Sequence, residues 1–146
     1  MSKAKDASVA NSNSQESVKT LIVEDELTSL RILESILTDS CELEFATDAS
    51  LAFDMFIEAH EAGECYELLC LDINMPNASG IDLLTEVRDF EESKGIVGSD
   101  CVKVFMITGD SHPSKVFDSM SKGATAYFTK PVDRAKLLEE LQKITK

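Results

Sequence analysis

Residues 67–84 read ELLCLDINMPNASGIDLL, and the way this stretch divides decides the fold. Leu68 to Asp72 is a nearly continuous apolar run closed by a carboxylate, short enough for a strand and too short for an ordinary helix. Strands of that kind are covered on both faces, the situation of a central strand in a parallel sheet. Ile73, Asn74, Met75 and Pro76 follow as a loop, and Leu83, Leu84 and Val87 then recur at helical spacing. The stretch predicts strand, loop and helix, with Asp72 at the carboxyl end of the strand.

The same unit repeats on either side. Lys19 to Val23 and Val102 to Thr108 are further apolar runs and make two more central strands. Glu42 to Ala46 alternates polar and apolar residues, and Ala126 to Thr129 is short, so both belong nearer a sheet edge. Between them lie helical patterns: Leu30, Leu33 and Leu37; Leu51 to Ala59; and a weaker one over Ser114 to Met120. The last is clear, with Leu137, Leu138, Leu141 and Ile144 on one face and Asp133 placed to cap it. Glu91 to Asp100 (EESKGIVGSD) is charged and glycine-containing, which predicts a loose extended loop after the third helix. Strand and helix alternating in this way predict βαβ units and an α/β fold of five parallel strands with five helices.

Residues 1–17 (MSKAKDASVANSNSQES) lack apolar periodicity and are expected to form a flexible tail, leaving 18–146 as one domain. With 146 residues, such a chain can bury roughly 70% of the surface it exposes when unfolded, so a core forms without staples. A formal net charge of −13 repels a nucleic-acid backbone, which excludes direct DNA binding as the expected activity. No apolar run reaches the length of a membrane span, and the start of the chain lacks the apolar core of a secretory signal. Cys41, Cys65, Cys70 and Cys101 form no CxxC pair and have no histidine at zinc-ligand spacing, so reduced thiols and a cytoplasmic location are expected.

In an open α/β sheet, ligands bind beyond the carboxyl ends of the strands. Those ends here are Glu24, Asp25 and Glu26; Asp72; Thr108, Gly109 and Asp110; and Lys130 before Pro131. One carboxylate after a strand is commonly a helix cap. Glu24, Asp25 and Asp72 gathered at one edge would instead repel one another by several kcal/mol at an effective dielectric of roughly 20, unless a cation compensates. Mg²⁺ suits such a site, because it takes a few carboxylates and shares its remaining positions with water and phosphate oxygens. A nucleophilic Asp, a hard cation, Lys130 and the Thr108 hydroxyl together make a device for phosphoryl transfer to a carboxylate.

LIVEDE (21–26), LDINMPNASGIDLL (71–84), VFMITGD (104–110) and AYFTKP (126–131), in this order and spacing, resemble the receiver domains of two-component response regulators. The resemblance spans about residues 18–146. It implies a flavodoxin-like, doubly wound sheet of order 2-1-3-4-5. Asp72 is implied as the acceptor of a phosphoryl group from the phosphohistidine of a sensor histidine kinase or phosphotransfer protein. Glu24, Asp25, Asp72 and the backbone carbonyl of Asn74 are implied as ligands of Mg²⁺, with Mn²⁺ as an alternative ion. Thr108 would hydrogen-bond the phosphoryl group, Lys130 would contact another of its oxygens, and Tyr127 would follow Thr108 as a switch. Asn74 and Asp110 resemble positions that tune how fast water removes the group, and Gly109 leaves room for it.

The acidic pair is Glu24-Asp25 rather than two aspartates, so Glu24 reaches toward the metal with one more methylene. The loop at 91–100 is longer than in the most compact receivers. If the chain is complete, output has to be a contact with an unknown downstream protein, which predicts a stand-alone receiver that catalyses only its own phosphorylation and dephosphorylation. A Mg²⁺-dependent aspartyl-phosphate phosphohydrolase would need a second acid two residues after the nucleophile, where this chain has Asn74. A receiver-like binding module that works without phosphorylation is the other alternative, and the full set Glu24, Asp25, Asp72, Thr108 and Lys130 speaks against it.

Overall fold

The computed structural model describes residues 17–76 and 78–145; the tail expected over 1–17 lies, but for Ser17, outside them. Five strands, β1 (Val18–Val23), β2 (Cys41–Ala46), β3 (Leu68–Leu71), β4 (Lys103–Thr108) and β5 (Ala126–Thr129), form one sheet. Its order is β2-β1-β3-β4-β5 and every pairing is parallel, the expected order 2-1-3-4-5. The chain therefore leaves β1 toward one edge and β3 toward the other, and a crevice opens between their carboxyl ends. Not foreseen is a two-residue antiparallel ladder, Asn74–Met75 with Ala78–Ser79, that folds the segment after β3 back on itself.

Five helices cover the sheet: α1 (Leu27–Leu37), α2 (Ala49–Glu61), α3 (Gly80–Ser93), α4 (Pro113–Ser121) and α5 (Arg134–Ile144). Alternate strand residues feed two cores. Leu69, Leu71, Val104 and Met106 pack with Phe56, Leu83, Leu84 and Val87 of α2 and α3. Leu68, Cys70, Phe105 and Ile107 pack with Leu33, Leu37, Leu137 and Leu141 of α1 and α5. Full burial of each such side chain contributes about 1.5–3 kcal/mol, which is why β3 and β4 carry no polar alternation: both faces are inside. The four cysteines are free, with Cys41 and Cys70 buried. No helix among the described residues is long and apolar enough to cross a membrane.

Side-chain caps fix where the helices begin. Asp48 accepts from the Leu51 amide at 2.8 Å, Ser79 from Ile81 at 3.0 Å, and Asp133 from Lys136 at 3.2 Å, as expected for α5; each such cap is worth about 1 kcal/mol. The weak fourth helix is present, and its weakness has a cause. Val116, Phe117 and Met120 form its apolar stripe, yet the buried position is Ser119 while Phe117 is 75% exposed.

The loop expected from Glu91 needs correction, because α3 continues through Ser93 and Glu91 points inward, 3% exposed. Its carboxylate accepts from the Val102 amide at 2.7 Å and from Arg88 at 2.6 Å. Arg88 in turn donates through Nε and an Nη to the Gly123 carbonyl, at 3.2 and 2.8 Å. The connection is thus anchored to the start of β4 and to the α4–β5 turn rather than loose, and only a turn at Gly95 and a short 3-10 segment (Gly98–Asp100) separate the two elements. Glu91→Ala strands a buried amide and a half-buried guanidinium, so urea denaturation is expected to show a loss of roughly 3 kcal/mol; a loss under 1 kcal/mol would contradict the anchoring role.

Candidate functional site

Backbone pairing brings the acids together. The Glu24 amide donates to Ala46 O at 3.0 Å and the Asp72 amide to Val23 O at 3.2 Å, which carries the register of β1, β2 and β3 one residue past their ends. Glu24 is 1% exposed, Asp72 is 7% exposed and Asp25 faces solvent. Carboxylate oxygens of all three lie within 4.8 Å of one another. The sequence placed these residues at strand ends, and the topology turns that into one cluster.

Lys130 enters from the end of β5, its amide held by Thr108 O at 2.8 Å, just before a cis Lys130–Pro131 bond. Its ammonium reaches Glu24 Oε1 at 2.8 Å and Asp72 Oδ2 at 3.2 Å. The bond to Glu24, the shorter of the two, was not expected from the sequence. Asp72 Oδ1 accepts from the Asn74 amide at 3.1 Å, and Glu24 Oε2 from the Glu26 amide at 3.1 Å. Burial pushes the Glu24 carboxyl above its ordinary range and the Asp72 charge adds to this, against the hydrogen bonds from Lys130 and Glu26. For Lys130 burial works against the charge, but the hydrogen bond to Glu24 and the charges of Asp72 and Glu24 outweigh it and raise its pKa.

Three carboxylates gather here, and the Lys130 ammonium pairs with only two of them, Glu24 and Asp72. That excess of oxygen donors, gathered within coordination reach of a single point, fits a hard divalent cation. Asn74, whose backbone carbonyl was the fourth expected ligand, lies in the short ladder opposite Ser79.

Gly80 is a site residue that the sequence reading missed. It opens α3, and a Cβ there would lie 2.1 Å from the carbonyl oxygen and 2.8 Å from the carbonyl carbon of Asp72. Helix α3 therefore starts directly against the backbone of Asp72. A glycine right after a strand-end acid and its loop is the signal that could have found it.

On the other side of the crevice Thr108 is fully buried, and its Oγ1 accepts from the Asp110 amide at 3.3 Å. The half-buried Tyr127 donates its hydroxyl to the Asp110 carbonyl, and its pKa is raised by burial and by the charges of Asp110 and Asp72. A Cβ at Gly109 would meet nothing within 4 Å, so the space beside Thr108 is open. The Asp110 carboxyl is held below its ordinary range, first by a hydrogen bond from the His112 ring. His112 was not singled out from the sequence.

A doubly wound sheet with an acidic crevice at its switch point and a lysine on the far wall is the arrangement of a receiver. The chain matches the response regulator receiver domain family over residues 20–142. It is 33% identical over 129 residues to the chemotaxis protein CheY-3 of Vibrio cholerae, covering 87% of this chain and 91% of that protein. The receiver domain of Ssk1 from Saccharomyces cerevisiae, solved with the histidine phosphotransfer protein Ypd1, superposes with a TM-score of 0.76 at 25% identity, over 88% of this chain and 89% of that one. A CheY of Borrelia burgdorferi, solved in a complex with CheX, BeF3 and Mg²⁺, gives a TM-score of 0.70 at 26% identity over 86% and 87% of the two chains. The chain belongs to the response regulator receiver domain family. Its fold is the CheY-like one, and receiver domains are signalling modules.

Proposed function

We propose that this protein accepts a phosphoryl group on Asp72 from a phosphohistidine of a sensor kinase or phosphotransfer protein, in a Mg²⁺-dependent reaction, and passes the signal on through altered protein contacts. The observation that carries the reading is the cluster itself: Glu24, Asp25 and Asp72 within 4.8 Å, with Lys130 bridging Glu24 and Asp72. Relatives solved with a phosphotransfer protein and with BeF3 and Mg²⁺ support it.

Glu24, Asp25, Asp72 and the Asn74 carbonyl would hold Mg²⁺ or Mn²⁺; when bound, the ion supplies positive charge for the oxygens of a transferring phosphoryl group. The protein's own residues do the rest. An Asp72 oxygen forms a bond to phosphorus as the phosphorus–nitrogen bond of the donor imidazole breaks, with the electron pair returning to the ring. Lys130 exchanges one of its carboxylate partners for a phosphoryl oxygen, and the Thr108 hydroxyl donates to another. Thr108 reaches Tyr127 through Asp110, so a shift at Thr108 is felt on the α4–β5–α5 face. There Phe117 is exposed, and a groove of about 450 Å³ lies beside Tyr127, Lys136, Glu139 and Glu140. That face is where a downstream protein would read the state of Asp72. A net charge of −13 argues against a direct nucleic-acid target, and the location consistent with this chemistry and with free thiols is the cytoplasm.

Acetyl phosphate with Mg²⁺ is expected to add one phosphoryl group, seen by intact mass, and Asp72→Asn is expected to abolish it. An undiminished adduct on Asp72→Asn contradicts the reading, and steady turnover of an unrelated phosphomonoester would point to a hydrolase instead.

A further inference from the structure

The four cysteines divide into two pairs. Cys41 and Cys70 are buried in the core that α1 and α5 cover, on strands that β1 holds apart, and burial pushes both thiols up, away from ionisation. Cys65 is exposed and Cys101 partly so. These two stand just before β3 and β4, at the amino ends of the strands and therefore at the end of the sheet opposite Asp72. Both line one cavity of about 430 Å³.

The backbone brings the two residues side by side. Strands β3 and β4 are neighbours with Leu68 in register with Lys103, and the Lys103 amide donates to the Glu67 carbonyl at 3.1 Å. Cys65 lies two residues before that carbonyl and Cys101 two residues before that amide. Neighbouring strands are about 4.8 Å apart, within the roughly 4.4–6.8 Å over which a disulfide joins two Cα atoms. The Cys101 thiol donates to the Ile96 carbonyl at 3.6 Å, and Ile96 also lines the small space onto which Cys65 opens. Each connection has room to adjust, since Gly63 and Gly98 turn with positive φ and nothing stands within 4 Å of a Cβ at either.

The surroundings of Cys65 equip it to react first. Its Sγ lies 3.7 Å from Nδ1 of His60, in the last turn of α2, where the terminal carbonyls favour a positive charge. The His60 ring stands edge-on to Phe90 with centroids 5.2 Å apart, which keeps it beside the sulfur. The imidazole can take the thiol proton and leave the thiolate, the form that attacks an oxidant. Cys101 differs, since burial and then the Glu91 carboxylate raise its pKa and keep its thiol protonated. We propose that Cys65 and Cys101 are a peroxide-sensitive dithiol, in which Cys65 is oxidised by hydrogen peroxide and Cys101 then closes a disulfide on it. The Cys65 thiolate attacks one peroxide oxygen; a sulfur–oxygen bond forms, the oxygen–oxygen bond breaks, and the departing hydroxide takes the proton from His60 and leaves as water. The Cys101 sulfur then attacks the sulfenic acid on Cys65; the sulfur–oxygen bond breaks, its hydroxyl takes the Cys101 proton, and a second water leaves. The two thiols lose two electrons and the peroxide is reduced by them. In a reducing compartment such a bond is transient. It joins the α2–β3 connection to the α3–β4 connection and does not depend on the phosphoacceptor reading.

The test uses the full chain, freed of reductant, treated with hydrogen peroxide and then unfolded in the presence of an alkylating agent, with intact mass and peptide mapping as the readout. The wild type is expected to lose two hydrogens, to give a linked peptide pair holding Cys65 and Cys101, and to be alkylated at Cys41 and Cys70. Cys101→Ser should accumulate a sulfenic acid on Cys65, trapped by dimedone, whereas Cys65→Ser should give no such label on Cys101. His60→Phe, which keeps a ring against Phe90 but has no base, should slow disulfide formation by about 10-fold or more; an unchanged rate would remove the histidine from the mechanism. The oxidised wild type should melt about 5–15 °C above the reduced form, the gain from closing a loop of this length, and a reductant should reverse the rise. Alkylation of Cys65 and Cys101 after peroxide overturns the proposal, as does a bond between two chains, a different pairing, or a disulfide that lowers the melting temperature.

Discussion

Lys130→Met will lower the stability of the protein by about 3 kcal/mol in the absence of divalent cations and make what remains strongly dependent on Mg²⁺. The lysine's ammonium lies 2.8 Å from Glu24 and 3.2 Å from Asp72, two carboxylates that are 1% and 8% exposed at the side chain. Breaking a buried ion pair from one side costs about 3–5 kcal/mol, because the partner is left charged and dry; the 22% exposure of the Lys130 side chain argues for the lower end. Methionine keeps the length and apolar stem, so packing changes little. The same lysine also competes with a cation for the carboxylates. Its removal should therefore enlarge the rise in melting temperature that Mg²⁺ produces, since a ligand that binds only the folded state stabilises it by RT ln(1 + [L]/Kd), and a lower Kd makes that larger. Phosphorylation by a small donor should fall by about 100-fold, the effect of losing one preorganised charge at a reacting centre. Thermal denaturation with and without Mg²⁺ checks the first two expectations. An unchanged melting temperature, or a Mg²⁺ response no larger than in the wild type, would mean that the lysine does not neutralise the cluster.

Gly80→Ala is the second large effect, and two opposing terms decide its sign. Alanine is about 1 kcal/mol better than glycine inside a helix, and Gly80 is the first residue of α3. Against this, the added methyl would stand 2.1 Å from the Asp72 carbonyl oxygen and 3.1 Å from the Ile73 Cα. Those neighbours are backbone and cannot swing aside as a flexible side chain would. Overpacking of this kind costs about 1–3 kcal/mol and occasionally more, so the clash wins. Relief requires α3 and the segment after β3 to move apart, which shifts Asp72 relative to Glu24 and Lys130. Calorimetry should show a lower melting temperature, and Mg²⁺ should bind more weakly. A Gly80→Ala protein as stable as the wild type with an unaltered Mg²⁺ response would show that the close approach is not needed to place Asp72.

Both predictions depend on features unequally visible in the chain. The central strands were legible because burial on both faces leaves runs such as LLCL and KVFMIT nearly without polar interruption. The acids, Thr108 and Lys130 were legible because an open sheet puts strand ends together, so a residue's place in the sequence fixes its place in the crevice. Asp133 could be read as a cap because capping is local.

What escaped was non-local. Glu91 stands in the charged string EESKG, and only the Val102 amide and Arg88 make its burial tolerable. The bond from Lys130 to Glu24 joins residues 106 positions apart. The need for glycine at position 80 comes from the carbonyl of Asp72, not from its own turn. His112 looks like an ordinary surface residue until Asp110, Thr108 and Tyr127 are seen to share bonds.

The claim on which the rest depends is that Asp72 itself carries the phosphoryl group. It is tested most directly by treating the wild-type protein with acetyl phosphate and Mg²⁺, reducing the acyl phosphate with borohydride and sequencing the peptides by mass spectrometry. Reduction converts a phosphorylated aspartate to homoserine, which is expected at position 72 alone. Homoserine at Asp25, Asp110 or another carboxylate, or at none, would contradict it.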